Sequence, residues 1–203
     1  MNSSASSLLQ VIDYGGGNLG SVCRCLNRLK IPYQLVGAEE QPALSDQLPV
    51  LLPGVGSFSG LMEKLAQRNL LEPLQSLLKA GVPYLGICVG LQILFEVSEE
   101  SPGVAGLSIL PGPVQKLKAS KVPQIGWNYI EPCQMESPSG YVYFVNSYVA
   151  HPAEPQVLWY TAEYEQRFCA AIRHQNITAV QFHPEKSGVF GHQMVLDWWQ
   201  SVC

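Results

Sequence analysis

The sequence predicts an α/β fold in which a mostly parallel central sheet is flanked by helices and extended by antiparallel strands. Three observations lead to this prediction. Strands and helices alternate through the first half of the chain, and the strands there are continuous apolar runs. After about Leu107, short runs of strand-forming residues are separated by Pro, Gly, Asn or Ser. Continuous apolar strands are typical of parallel sheets buried on both faces, whereas short runs between turn residues are typical of β-hairpins.

The alternating half begins with an apolar strand, LLQVIDY, which stops at the glycines of residues 15–17. Three further strands are predicted in YQLV, PVLLPG and PYLGIC. Between them, apolar residues at helical spacing indicate a first helix around residues 22–29. They also indicate one long second helix from Leu61 to Leu78, which Gly81 closes. Another helix is predicted in LQILFEVSE, directly after the fourth strand.

The second half predicts a series of hairpins and one return to the parallel sheet. Strands are predicted in VQKL, WNYIEP, YVYFVNSYV, VLWYTAEY and FCAAI. The run ITAVQFH is predicted to be a buried strand, and HQMVLDWWQ a closing amphipathic helix. No internal repeat, low-complexity tract or linker divides the chain, so residues 1–203 are predicted to form a single domain.

Composition and charge exclude several classes of function. The chain has 203 residues, a net charge of −4 and no block of Lys or Arg, so nucleic acids and anionic membranes are poor partners. No apolar run reaches the roughly 18 residues of a membrane-spanning helix, and the N-terminus does not resemble a signal peptide, so we expect a cytoplasmic protein. The six cysteines show no spacing typical of a disulfide framework or a metal site, and we expect no metal ion or cofactor.

The segment YLGICVGLQIL contains a candidate nucleophile. An apolar strand runs into Gly86, Cys88 and Gly90 and then directly into a predicted helix. This is the cysteine counterpart of the nucleophile elbow, in which a tight strand-to-helix turn presents a side chain at the sheet edge. The glycines leave room for the turn, and the helix N-terminus favours a thiolate. The pattern predicts Cys88 as nucleophile and the Val89 N–H as oxyanion donor; the alternative is a buried cysteine in an ordinary tight turn.

A thiol nucleophile needs a base and a group that orients the base. His183 ends an apolar strand and is followed by Pro184 and Glu185, so a stiff link offers the carboxylate back to the ring. Because the carboxyl ends of parallel strands meet at one sheet edge, Cys88 and His183 can come together although they are distant in sequence. The sequence therefore predicts a Cys88–His183–Glu185 triad. The remaining histidines are predicted to be solvated surface residues: His151, His174 and His192.

GICVG together with VQFHPEKSG resembles the class I glutamine amidotransferases, whose triad is Cys, His and Glu in this chain order. Within that family the chain looks like the glutaminase subunits of imidazole glycerol phosphate synthase, an enzyme of histidine biosynthesis. The finer resemblance is carried by DYGGGNL, PGVGSF, IGWN and YFVNSY, and it spans Val11 to about Gly188. It implies a flavodoxin-like fold and hydrolysis of the glutamine side-chain amide to glutamate and ammonia through a thioester on Cys88.

The resemblance also implies roles for residues outside the triad. The loop Gly54–Gly56 is expected to supply a second oxyanion donor, and glutamine is expected to contact residues close to the nucleophile. The oxyanion hole is implied to comprise Val89, Val55 and Gly56. The residues implied to bind glutamine are Gly54, Gln92, Ser147 and Tyr148. The residues implied to face a partner subunit are Asn18, Tyr143 and Lys186.

The implied partner is a (β/α)8-barrel cyclase subunit that receives the ammonia and makes imidazole glycerol phosphate and AICAR. One triad makes one active site, and a glutaminase that released ammonia freely would waste glutamine, so a synthase is expected to cap the site and rearrange the Gly54–Gly56 loop. Asn146 and Gln124 stand where the family usually has His, and Gly20 where Arg is frequent. Three alternatives stay open: a paralogue that feeds another synthase, a weakly catalytic regulatory subunit, and a related cysteine hydrolase.

Overall fold

The computed structural model describes residues 8–16, 18–38, 40–133 and 137–203. The predicted glycine turn at residues 15–17 includes Gly17, which lies outside the described residues. The strands are β1 (Leu9–Ile12), β2 (Tyr33–Val36), β3 (Val50–Gly54), β4 (Tyr84–Cys88), β5 (Val97–Ser98), β6 (Pro113–Lys116), β7 (Gln124–Pro132), β8 (Gly140–Asn146), β9 (Tyr148–Ala150), β10 (Leu158–Glu163), β11 (Arg167–His174) and β12 (Ile177–Val180). The α-helices are α1 (Leu19–Leu29), α2 (Phe58–Gln67), α3 (Leu71–Lys79), α4 (Val89–Gln92) and α5 (Gly188–Val202).

A nine-stranded mixed sheet has the strand order β2-β1-β3-β4-β12-β11-β10-β7-β8. The neighbours β2, β1, β3, β4 and β12 pair in parallel. The neighbours β12, β11, β10, β7 and β8 pair antiparallel. All residues of β1, β3, β4 and β12 are buried, which explains why their sequences are continuous apolar runs. The predicted fold class, a parallel sheet with helices and an antiparallel extension, is confirmed.

The predicted lengths of two helices are wrong. The run Leu61–Leu78 forms two helices because the chain turns at Asn69, whose φ is 56°. In LQILFEVSE only Leu91 and Gln92 are helical, as the end of the single turn of α4, and the segment then runs into β5. The reason is tertiary: the carbonyl oxygens of Ile93 and Leu94 accept hydrogen bonds from Leu107 and from the N–H groups of residues 109 and 110, so they are not available to continue the helix.

The predicted strand YVYFVNSYV is interrupted at Ser147, between β8 and β9. Strand β9 leaves the large sheet and pairs with β6 in a second sheet of order β5-β6-β9. The closing helix α5 begins at Gly188, four residues earlier than HQMVLDWWQ indicates. Among the described residues, no helix has both the length and the apolar character that crossing a membrane requires.

The order of the parallel strands brings three chain segments to one sheet edge. Strand β4 lies between β3 and β12, and Gly54 is in register with Cys88. The neighbouring pair of β12 and β4 ends at Val180 opposite Ile87, three residues before His183. The carboxyl ends of β3, β4 and β12 therefore converge, as the sequence predicted for the strand ends at Cys88 and His183.

Candidate active site

Cys88 occupies the turn between β4 and α4 with φ of 54° and ψ of −108°. A positive φ is uncommon outside glycine and carries strain, and it is a feature of the sharp strand-to-helix turn that presents a nucleophile. The residue is only 6% exposed. Its Sγ lies 4.0 Å from the carbonyl oxygen of Val145 and 3.5 Å from Nε2 of Gln181. The backbone therefore has the geometry of an elbow, with the thiol enclosed by neighbouring strands.

Two glycines allow β3 to approach this turn closely. A Cβ on Gly90 would lie 2.5 Å from the carbonyl oxygen of Leu52, and a Cβ on Gly54 would lie 2.4 Å from the nitrogen of Gly90. Both neighbours are backbone atoms, so neither contact could be relieved by a side-chain rotation. These glycines are needed for packing as well as for the turn. Because α4 is a single turn, its dipole contributes less to the site than the longer predicted helix would.

His183 and Glu185 form a buried pair. The His183 Nδ1 lies 2.9 Å from the Glu185 Oε1, and the two side chains are 3% and 2% exposed. A 3-10 turn over Pro184–Lys186 bends the carboxylate back under the ring. Asn18 donates to the same Glu185 oxygen at 2.6 Å, and Oε2 has no hydrogen-bond partner among the described residues. With Nδ1 committed to Glu185, Nε2 is the ring nitrogen left for Cys88.

The environment of His183 favours its protonated form. Burial lowers its pKa, but hydrogen bonds and negative charge from Cys88 and Glu185 outweigh burial and raise the pKa to about 9. Two other buried thiols have no such partner, and burial raises the pKa to about 11 for Cys25, which also feels the charge of Glu185, and to about 12 for Cys169. Those thiols are neutral at physiological pH, whereas Cys88 lies beside an imidazolium.

A pocket of about 220 Å³ opens beside Cys88. Its volume is below that of a site for a drug-sized ligand and suits a single amino acid. Five residues predicted to bind glutamine or the oxyanion line it together with the nucleophile: Gly56, Val89, Gln92, Ser147 and Tyr148. Cavities of about 700 and 650 Å³ lie elsewhere on the surface, and neither contains a residue of the predicted triad. The small pocket is therefore the candidate site because of its chemistry rather than its size.

Glu100 lines the pocket, although no sequence motif predicts it as a site residue. It is the only acidic side chain that lines the pocket among the described residues, and its Oε2 accepts the N–H of Phe58 at 2.7 Å. In the sequence it is one of several acidic residues after the elbow, with Glu96 and Glu99 close by, and no spacing separates it from them. Only the fold-back of the chain after α4 brings it to the pocket, where its charge suits an ammonium group.

The Gly54–Gly56 loop adopts a conformation that no sequence motif predicts. The backbone N–H of Val55 donates to the hydroxyl of Tyr14 at 3.2 Å. Gly56 lines the pocket and has a φ of +97°. Burial raises the pKa of Tyr14, so this hydroxyl stays neutral at physiological pH. The predicted second oxyanion donor is thus close to the site, but its N–H is already bonded to Tyr14.

Gln92 and Asn146 line the pocket, and Gln124 lies next to Asn146 on the neighbouring strand. The Gln92 Nε2 donates to the carbonyl oxygen of Tyr148 at 3.1 Å and to Oε1 of Gln181 at 3.0 Å. Asn146 and Gln124, the two departures from the family pattern, lie directly opposite each other on β8 and β7. Both are buried, and the side-chain oxygen of each has no hydrogen-bond partner among the described residues. The two departures from the family pattern therefore affect the same place in the sheet.

The three residues implied to face a partner differ in their surroundings. Asn18 contacts the triad directly through Glu185. Tyr143 is half-buried, and its carbonyl oxygen accepts the backbone N–H of His183 at 2.9 Å. Lys186 is exposed at the end of the 3-10 turn. Two of the three residues, Asn18 and Tyr143, therefore form hydrogen bonds to members of the triad.

Comparison with known proteins gives one family. A family model described as glutamine amidotransferase class-I matches residues 10–199. The imidazole glycerol phosphate synthase subunit HisH of Moorella thermoacetica is 41% identical over 202 residues, which cover 96% of this chain and 95% of the relative. The subunit of the same name from Acaryochloris marina is 41% identical over 206 residues, with 96% and 95% covered.

A solved structure supports the same grouping at the level of the fold. A crystal structure of a glutamine amidotransferase superposes with a TM-score of 0.75 at 17% identity, and the match covers 95% of this chain and 98% of that one. Sequence motifs, fold and relatives agree. The chain therefore belongs to the class I glutamine amidotransferase family, in the branch of the HisH subunits of imidazole glycerol phosphate synthase.

Proposed function

We propose that the chain, acting as one domain, hydrolyses glutamine to glutamate and ammonia and supplies the ammonia to a cyclase subunit in histidine biosynthesis. The observation that carries this proposal is the elbow of Cys88 beside the buried His183–Glu185 pair and a pocket of amino-acid size. The names of the relatives, imidazole glycerol phosphate synthase subunit HisH, support the assignment to that enzyme.

The proposed reaction uses the three side chains in turn. The Cys88 thiolate attacks the amide carbon of glutamine, and the negative charge on the amide oxygen is held by the Val89 N–H. The imidazolium of His183 gives its proton to the nitrogen as the C–N bond breaks and ammonia leaves. A water molecule then loses a proton to neutral His183 and attacks the thioester, and the C–S bond breaks to regenerate the thiolate and release glutamate. Glu185 holds the ring in place throughout.

The pocket offers complementary contacts to the other end of glutamine. The Glu100 carboxylate suits the α-ammonium group, because the two charges are opposite and the pocket is partly shielded from water. Ser147 and Tyr148 lie where β8 ends and β9 begins, and both line the pocket, so they can contact the substrate. This arrangement favours a free amino acid over a peptide.

An exposed aromatic surface lies next to the pocket and is the proposed docking site of the cyclase. We define the aromatic face by side chains on one side of β7 and β8: Ile125, Trp127, Tyr129, Tyr141, Tyr143 and Val145. Trp127 and Tyr143 pack edge to face at 5.9 Å, and Trp127 is 56% exposed. Exposed apolar patches of this kind mark interaction sites, and aromatic residues dominate the energy of protein interfaces.

The position of the aromatic face explains how a partner could receive ammonia. Val145 belongs to this face, and its backbone carbonyl lies 4.0 Å from the Cys88 sulfur. Lys186 and Val189, which is 86% exposed, flank the segment at Gly188, where a Cβ would lie 3.8 Å from the ring of Trp127. A subunit that covered the face would therefore also cover the triad. This enclosure would keep released ammonia from solvent.

The test is glutamate release by the purified chain, with and without a histidine-pathway cyclase subunit and its nucleotide ligand. We expect release to rise on addition of the cyclase.

Trp127→Glu should weaken cyclase binding by roughly 100-fold, because the substitution buries a charge in the interface. Val97→Glu is the matched control, since Val97 is 53% exposed on β5, outside the aromatic face, and should bind as the unchanged chain does. Affinity is measured by titration calorimetry.

Other outcomes would separate the alternatives. No glutamate release under either condition would contradict a glutaminase and favour a regulatory subunit. Release that responds only to another synthase would favour a paralogue serving a different pathway. Equal losses of affinity in the two Glu variants would contradict the docking site while leaving the glutaminase assignment intact.

Removing the Tyr14 hydroxyl should activate the isolated chain. In Tyr14→Phe the Val55 N–H loses its acceptor and is free to turn toward the oxyanion, so we expect basal glutamate release to rise about fivefold, the worth of one neutral hydrogen bond. Release with saturating cyclase should change little, because the partner would already have freed this N–H. Tyr160→Phe is the control, since the hydroxyl of Tyr160 bonds to Pro138 outside the candidate site. Unchanged basal release in Tyr14→Phe would contradict this account of the loop.

A further inference from the structure

Gln181 lies in the segment between β12 and His183 and takes no part in the proposed steps of glutamine hydrolysis. It is 0% exposed, so its amide is wholly enclosed by the protein. Its backbone N–H bonds to the carbonyl oxygen of Ala170, which fixes the position of the residue at the end of the sheet. Its side chain points to the nucleophile: Nε2 lies 3.5 Å from Sγ of Cys88. A fully buried amide is retained at a cost unless its hydrogen bonds are made.

The direction of this contact is determined by a chain of hydrogen bonds. A backbone carbonyl oxygen can only accept, so the atom of Gln92 that bonds to the Tyr148 carbonyl must be its NH₂ group. The second hydrogen of the same NH₂ group then goes to Gln181, whose facing atom must be the oxygen. The NH₂ group of Gln181 is consequently left to face Cys88. It donates toward the sulfur.

We propose that Gln181 is a donor that holds the Cys88 sulfur from inside the protein and favours its thiolate form. The inference rests on the proposed role of Cys88 as the nucleophile. A hydrogen bond to an ionised sulfur is stronger than one to a neutral thiol, so a fixed donor shifts the balance toward the thiolate. The same donor stabilises the thiolate again when it leaves the thioester. Gln92 acts through Gln181 and links the nucleophile to the wall of the pocket at Tyr148.

Four titratable groups face the nucleophile and also influence the equilibrium between its thiol and thiolate forms. His183 and Glu185 form the pair behind it, Tyr14 lies at the end of β1, and Glu100 lines the same pocket. All four remain in place when only Gln181 is changed. The contribution of Gln181 can therefore be separated from theirs by the pH dependence of Cys88 reactivity.

The experiment is alkylation of Cys88 by iodoacetamide in the full chain from pH 5 to 10, followed by mass spectrometry of the Cys88 peptide. Gln181→Met keeps the length of the side chain but removes the donor. We expect its alkylation at pH 7 to be about tenfold slower and the pH of half-maximal rate to rise by about one unit. At high pH the rate should reach or exceed that of the unchanged chain, because a less stabilised thiolate is the better nucleophile. Gln181→Glu should shift the profile further upward.

Gln10→Met is the matched control. Gln10 is also 0% exposed, and its Nε2 donates to the carbonyl oxygens of Ser45 and Leu48, so its loss removes buried hydrogen bonds without touching the sulfur. Thermal melting reports the stability of each variant. A profile for Gln181→Met that matches that of Gln10→Met would overturn the inference, as would a rate lowered equally at every pH. If the unchanged chain is alkylated but hydrolyses no glutamine, the proposed function fails, and the shift in Gln181→Met still tests the donor.

Discussion

Replacing Cys88 with alanine is expected to abolish glutamine hydrolysis, with a loss of at least about 1,000-fold in kcat. The sulfur is the only protein atom in the proposed reaction that forms a bond to the substrate carbon, and catalysis by triads is lost almost entirely when the nucleophile is removed. Glutamate release is measured in the presence of the cyclase, where the signal of the unchanged chain is largest. Cyclase binding should survive, because the aromatic face is intact.

Cys169→Ala separates this effect from the loss of any buried thiol. Cys169 is 5% exposed on β11, and burial raises its pKa to about 12, so it takes no part in chemistry at neutral pH. We expect Cys169→Ala to lower thermal stability slightly and to leave kcat unchanged. Retained activity in Cys88→Ala would contradict the proposed mechanism at its first step. A parallel loss in both variants would indicate a folding effect instead.

The elbow and the parallel sheet were predictable because local and long-range constraints agree there. A continuous apolar strand, a glycine on each side of Cys88 and an immediate turn all describe one backbone geometry, and the structure has it at φ of 54°. The end of β12 was predictable for the same reason, since His183 follows a buried strand that pairs with β4. The convergence of these strand ends follows from the topology of parallel sheets.

The remaining features depend on contacts that no local pattern encodes. The helix after Cys88 is short because residues 107–110 bond to the carbonyl groups of the two residues that follow it, and the fold-back of the chain there also brings Glu100 to the pocket. The bond between Val55 and Tyr14 joins two strand ends 41 residues apart in the chain. Asn18 was implied to face a partner, yet its amide also bonds to Glu185. Each of these required the arrangement of side chains in space.

Replacing Glu185 with glutamine is expected to lower both the charge on His183 and the rate of hydrolysis. The substitution keeps the shape of the side chain but removes a negative charge 2.9 Å from the ring. Burial, which lowers the pKa of His183, is then opposed by Cys88 alone, so the pKa should fall from about 9 toward its ordinary value of 6.5. Because an orienting carboxylate also fixes the tautomer, we expect kcat to fall by roughly 100-fold or more.

The sign of the pH dependence follows from the direction of this shift. With a pKa of about 9, protonated His183 stabilises the folded chain fully below about pH 6.5, and that stabilisation is lost as the pH rises through about 9. Hydrolysis should decline over the same upper range, since the imidazolium supplies the proton that ammonia needs to leave. In Glu185→Gln the decline should begin at lower pH. Titration of the His183 ring by NMR measures the shift directly.

Glu63→Gln is the control for this experiment, because Glu63 is an exposed carboxylate on α2 that bonds only to Gln67 among the described residues. Its loss should leave both the His183 titration and kcat as they are. A midpoint near 9 in Glu185→Gln would show that Cys88 alone holds the proton on the ring. In that case Glu185 would act by orientation, and the rate loss should then appear without any shift of the pH profile. A combined shift and rate loss would establish Glu185 as both the charge and the orienting group behind His183.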